Sequence, residues 1–225
     1  MLPGPLRRSR TGLYVPAAGG GGGGQTTTWD AAVTNTAAPG ANTFTTTNVA
    51  NDTAERVSDS TIIATPVFSP NQSGKSYWET RILGTNINNR YGVTYQANLG
   101  YIGNFGGDAS TRGITPNGTF AAITGTVPSQ QTGVTIAVND VVGYALDRTT
   151  KQLWWTVDGV TWWGAGGSTT NTLADVIAGT GGWTASAEDN RARAPGVSLF
   201  AGGKVQLLAG SNIVRSPPTG FTVLP

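Results

Sequence analysis

The sequence predicts an all-β protein, a two-sheet antiparallel sandwich of the jelly-roll kind behind an extended N-terminal arm. Three observations predict it. Glycine (33 residues), proline (12) and many threonines supply turn formers and β-branched residues, while charged residues are only 12% of the chain, a composition poor in helix formers. Several segments alternate apolar and polar residues with period two. An Asp-Gly pair between two tryptophan-rich runs marks a hairpin. At 225 residues the chain has the size that β-sandwiches reach as one domain.

Residues 1–18 mix prolines and arginines with the apolar triplet Leu13, Tyr14, Val15, and Gly19–Gly24 form an unbroken glycine tract. Such a tract is a flexible spacer, so residues 1–24 are expected as an arm and 25–225 as the sandwich. Two segments rich in threonine and asparagine follow: 26–36 and 42–50, the latter around Phe44, are weakly alternating edge strands. Residues 75–84 place Trp78, Thr80 and Ile82 on one face and Tyr77, Glu79, Arg81 and Leu83 on the other. Further strands are expected over 90–96, in two short pieces within 98–120, and over 132–138. After a turn at Asn139-Asp140 comes a strand carrying Val142, Tyr144 and Leu146 on one side.

Asp158-Gly159 calls for a two-residue hairpin with positive φ at both central positions. That register sets Trp155 opposite Trp162 and Trp154 opposite Trp163, on opposite faces. Leu153, Trp155, Val157 and Trp162 are then the inward set, and Trp154 and Trp163 an outward apolar pair. A helical turn is expected at 172–179, capped by Thr172 with Ala174 and Ile177 inward, then strands at 194–200 and 204–210 and an extended proline-rich tail. The total is about ten to twelve strands.

Cysteine and histidine are both absent, which excludes disulfides, thiolate nucleophiles, Cys/His zinc sites and imidazole-dependent catalysis. No Ser-x-x-Lys phrase is present, and many of the acids sit at turns, so no catalytic residue, metal or cofactor is expected. Two acidic loop phrases, 106–110 and 187–190, lack the ligand spacing of a known calcium loop. Three of the fourteen cations, Arg7, Arg8 and Arg10, lie in the arm, so from Gln25 onward eleven cations meet twelve acids, a net of −1. Nucleic-acid binding by the domain is not expected, nor is a secretory or membrane-inserting leader.

Five phrases in order resemble a SPRY domain: GKSYWETRI (Gly74–Ile82), YGVTY (Tyr91–Tyr95), NDVVGYALDRTTKQLWWTVDGVTW (Asn139–Trp162), APGVSLFAGGKVQLLAG (Ala194–Gly210) and PPTGF (Pro217–Phe221). Trp155 stands at the usual Phe position, Asp158 at the usual Asn of the hairpin, and the loop from Gly164 to Trp183 is longer. The resemblance, recognisable over 74–221, implies a bent antiparallel sandwich that binds proteins or ligands through loops at one end without catalysis. With the polyglycine spacer and Gly/Thr/Asn-rich composition, it is similar to SPRY-type modules of tailed-phage particles.

This implies a virion appendage, a fibre or decoration protein made in the host cytoplasm, free or as a homo-oligomer. Its arm would dock on other virion proteins through Leu6, Arg7, Arg8, Arg10, Leu13, Tyr14 and Val15, since arginines beside apolar residues pair charges and bury area together. The surface expected to meet a host glycan or protein comprises Trp154 and Trp163 as a stacking platform, with Trp183, Asn104, Phe105, Asp108 and Arg112 on loops. A carbohydrate-binding module is the alternative, and a glycan depolymerase a more distant one.

Overall fold

The computed structural model describes residues 28–34, 53–55, 60–65, 72–85, 89–95, 112–116, 119–121, 130–131, 134–164, 170–184, 193–199 and 202–225. The arm and the expected strand around Phe44 lie outside them. The first eight strands are β1 (Thr28–Thr34), β2 (Thr53–Glu55), β3 (Ser60–Thr65), β4 (Lys75–Gly84), β5 (Arg90–Tyr95), β6 (Arg112–Ile114), β7 (Thr119–Ala121) and β8 (Gln130–Gln131). Next come β9 (Val141–Asp147), β10 (Gln152–Thr156), β11 (Trp162–Trp163), β12 (Thr170–Asn171), helix α1 (Leu173–Ala178), β13 (Trp183–Thr184), β14 (Arg193–Leu199), β15 (Lys204–Leu208) and β16 (Thr222–Val223).

They form two sheets. One is seven-stranded in the order β1-β3-β14-β5-β6-β7-β8, and the other nine-stranded with the path β12-β11-β10-β9-β4-β15-β2, β13 pairing with β10 and β16 with β4. Among the described residues every pairing is antiparallel except β16 on β4, which is parallel through Thr222–Ser76 and Val223–Tyr77. The all-β, two-sheet expectation therefore holds. The strand count is higher than expected because several two- and three-residue strands arise inside segments that read as loops.

The main core lies between the sheets. Tyr91, Val93, Ile114, Val197 and Leu199 from the seven-stranded sheet meet Trp78, Ile82, Val142, Tyr144, Leu146, Leu153, Trp155, Val205 and Leu207 from the other. This is the inward half of the period-two pattern read from β4 and β9. Trp78 stacks on Tyr144, with ring centroids 5.2 Å apart. Burial pushes the Tyr91 phenol up to about 12, although the Asn89 amide donates a hydrogen bond to its oxygen at 3.1 Å.

Asn139 (φ 76°) turns the chain into β9, donating its N–H to the Ile82 carbonyl at 2.7 Å. The expected strand over 132–138 does not form in its described part, 134–138. Ile136 there is nevertheless buried, and its N–H bonds the Pro116 carbonyl at 2.7 Å.

Candidate functional site

The hairpin between β10 and β11 corrects the expected register. Trp155 pairs with Trp163, not Trp162, because the connection is longer than two residues. Asp158 Oδ1 accepts the N–H groups of Val160 (2.8 Å) and Thr161 (2.7 Å), and Thr156 Oγ1 accepts that of Gly159 (2.8 Å). Within 157–161 only Gly159 has positive φ, at 77°, so the side chain of Asp158 makes the turn that two left-handed residues would have made. A one-residue slip exchanges faces. Trp163 thus joins the inner core and stacks on Trp155 at 4.6 Å, while Trp162 joins Trp154 on the outer face.

That outer face is not a surface. Trp154 and Trp162, with Tyr77 and Ala145, form a second core under Val176 of α1 and Phe221. Trp154 is fully buried. Its Nε1 donates to the Thr180 carbonyl at 3.1 Å, Phe221 meets it edge-on at 6.4 Å, and Gly182 lies so close that a Cβ there would stand 2.4 Å from its ring. The exposed stacking platform of Trp154 and Trp163 therefore does not exist: one lies in each core. Trp183, expected on a loop, sits in β13 opposite Leu153 and is also buried.

The cover has two parts. Helix α1 opens on a capping box in which Thr172 and Asp175 exchange side-chain to backbone hydrogen bonds, and closes on Gly179 in the left-handed conformation. The expected cap is correct, but the inward residue is Val176. Ala174 and Ile177 face outward, because the six-residue helix meets the sheet along one edge only. The second part is a strap, residues 213–225, whose Leu224 N–H bonds the Tyr77 carbonyl at 2.9 Å. Lys75 holds both parts: Nζ donates to the Ile177 carbonyl at 2.9 Å, stands 3.8 Å from Asp147 Oδ2 and lies 5.1 Å from the centre of the Phe221 ring.

Glu79 is the polar centre of this face and is wholly buried. One carboxylate oxygen accepts from Tyr77 Oη (2.6 Å) and the Arg215 N–H (3.1 Å), and the other from the Val214 N–H (2.6 Å). The Arg215 guanidinium stands 3.7 Å from Glu79 Oε1 and donates to the Val157 carbonyl. Tyr77 reaches Glu79 across Gly143, where a Cβ would lie 2.7 Å from its oxygen, so this position needs glycine. Burial, the Glu79 hydrogen bond and the Glu79 charge raise the Tyr77 phenol far above its ordinary value, which keeps it a donor to the carboxylate.

The two most exposed large apolar residues among those described are Val160 (73%) on the hairpin loop and Val214 (56%) on the strap. Sequence reasoning missed Glu79, Arg215 and the exposure of these two valines. A glutamate between Trp78 and Thr80 on a strand buried on both faces was the available signal, because a carboxylate there demands partners. Of the other expected contacts, Asn104, Phe105, Asp108 and the arm residues lie outside the described residues, and Arg112 starts β6 opposite Val93 rather than sitting in a loop. Among the described residues no group of three or more metal-ligating side chains occurs and no helix is long and apolar enough to cross a membrane.

No protein-family model matches the chain, and no curated protein does. Among solved structures, the crystal structure of the SPRY domain of human HERC1 is similar, with a TM-score of 0.50 at 12% identity over 80% of this chain and 96% of that one. The fold is thus a SPRY-like β-sandwich.

Proposed function

We propose that the protein is a non-enzymatic binding module carried as an appendage of a tailed-phage particle, docked by its arm and displaying the sandwich. The observation that carries the binding part is the exposure of Val160 and Val214, apolar residues on two segments far apart in sequence that Arg215 joins, since binding residues on loops held by a rigid scaffold are what a partner meets. The particle part rests on the sequence alone, on the arginine-bearing arm and its glycine spacer. A lectin-like reading loses its motivating feature, since the tryptophans meant to stack a sugar are interior.

The test has two arms. Removing residues 1–24 is expected to leave a folded domain that no longer co-sediments with particles, and retained attachment refutes the arm's role. Val160→Ser with Val214→Ser, which adds no charge beside Asp158 and Glu79, is expected to leave stability within about 1 kcal/mol, while abolishing the domain's contact with its partner. Unchanged contact refutes the role of these valines.

A further inference from the structure

The strap and the hairpin loop meet through one side chain. Arg215 leaves the strap beside Glu79, bonds the Val157 carbonyl, and runs under the loop so closely that a Cβ on Gly159 would stand 2.9 Å from its Cδ. The strap is anchored at its far end, where β16 pairs with β4 and Phe221 and Leu224 pack on the sheet, but its start and the loop are held by little else. Within 213–225 only Pro218, Phe221 and Leu224 are buried, and in 157–161 none is. The loop's amides are bonded by Asp158 and Thr156, and those of Val214 and Arg215 at the start of the strap by Glu79 of β4, and the Arg215 side chain reaches from Glu79 to the loop's Val157 carbonyl. Opening the strap would also strip the cover from Tyr77, Trp154 and Trp162.

We infer that Glu79 and Arg215 are positioning residues that couple the start of the strap to the 157–161 loop, so that the two segments open and close as a unit. Its meaning for recognition rests on the function proposed above; the coupling itself does not. By reciprocity, ordering of the loop tightens the strap, and release of the strap dismantles the loop.

Amide hydrogen exchange on the full chain tests this. In the unaltered protein, the amides of Val160 and Thr161 should share one opening equilibrium and one denaturant dependence with those of Val214 and Arg215; distinct values overturn the coupling. Arg215→Ala should lower protection at Val160 and Thr161 by about tenfold or more, the scale of one charge-assisted hydrogen bond, with Val142–Leu146 unchanged. Gly159→Ala perturbs from the other side and should lower protection at Val214 and Arg215. An effect confined to the mutated segment overturns the inference. Should Arg215→Ala melt β9 as well, the Gly159→Ala and unaltered proteins decide. Matched exchange in a protein that binds no particle leaves the coupling standing and sinks the functional reading; unmatched exchange in one that binds does the reverse.

Discussion

Replacing Glu79 by alanine removes the acceptor of three hydrogen bonds and the counter-charge of Arg215 in one step. Breaking a buried ion pair from one side costs about 3–5 kcal/mol, and each donor left buried without an acceptor adds about 1–3 kcal/mol. The strap is only partly buried, and the Arg215 side chain is already 22% exposed. Water therefore reaches the orphaned backbone donors once the strap shifts, and Tyr77 Oη bears the undiluted cost. The expected loss is about 3–4 kcal/mol. At about 2–4 °C per kcal/mol for a domain of this size, the melting temperature falls by roughly 10 °C. Urea denaturation supplies the free energy, and its slope reports whether the unfolding unit has changed. Glu79→Gln keeps one oxygen but offers an amide N–H to the remaining donors, and should lose about half as much. A double-mutant cycle with Tyr77→Phe should give a coupling energy of at least about 0.5 kcal/mol. A loss below about 1 kcal/mol for the alanine variant, or additivity with Tyr77→Phe, would refute the account of Glu79 as the node of the outer face.

Three other outcomes follow from the same packing. Gly143→Ala puts a Cβ 2.7 Å from Tyr77 Oη and 3.2 Å from Thr156 Cγ2 and should cost about 1–3 kcal/mol as overpacking, most of it recovered when Tyr77→Phe is added; equal losses with and without the phenol would contradict the contact. Trp154→Ala should cost about 3–5 kcal/mol in denaturant titrations, the range for a buried aromatic, whereas a surface tryptophan would lose almost nothing. Desolvation alone would raise the Asp158 carboxyl, but the Val160, Thr161 and Thr156 hydrogen bonds outweigh it and hold it below its ordinary value. Its contribution is thus present above the unfolded value of about 3.9 and lost as pH falls through the folded one. The stability gap between the native protein and Asp158→Asn should be constant near neutrality and close below about pH 4; a gap that widens on acidification would reverse the sign.

The sequence made the inner half of the sandwich legible because β4 and β9 alternate with strict period two, and Trp78, Ile82, Val142, Tyr144 and Leu146 all point where that period sends them. The other half was hidden by two effects. The tryptophan pairs carry no intrinsic sign, so the assignment of faces depended on the length of one turn. An aspartate side chain standing in for a left-handed residue changed that length by one. The outward residues of β4 and β10 then read as a surface, since their cover comes from α1, which starts 17 residues after β10 ends, and from the strap, which starts 129 residues after β4 ends, with no local period to announce them. Helix α1 shows the same limit from the other side: its cap is a local motif and was readable at Thr172, whereas its buried residue is set by tertiary contact and was not.

The parallel strand β16 lies beyond Phe221, where the phrase similarity to SPRY domains stops. Trimming the domain at that residue would discard Val223 and Leu224, both lodged against the sheet, and would leave Ser76 and Tyr77 of β4 without their β16 partners beside a freshly wetted indole layer. The smallest piece that can stand alone is consequently longer than its recognisable motifs, and a recombinant domain cut to those motifs should aggregate where one ending a few residues later stays in solution.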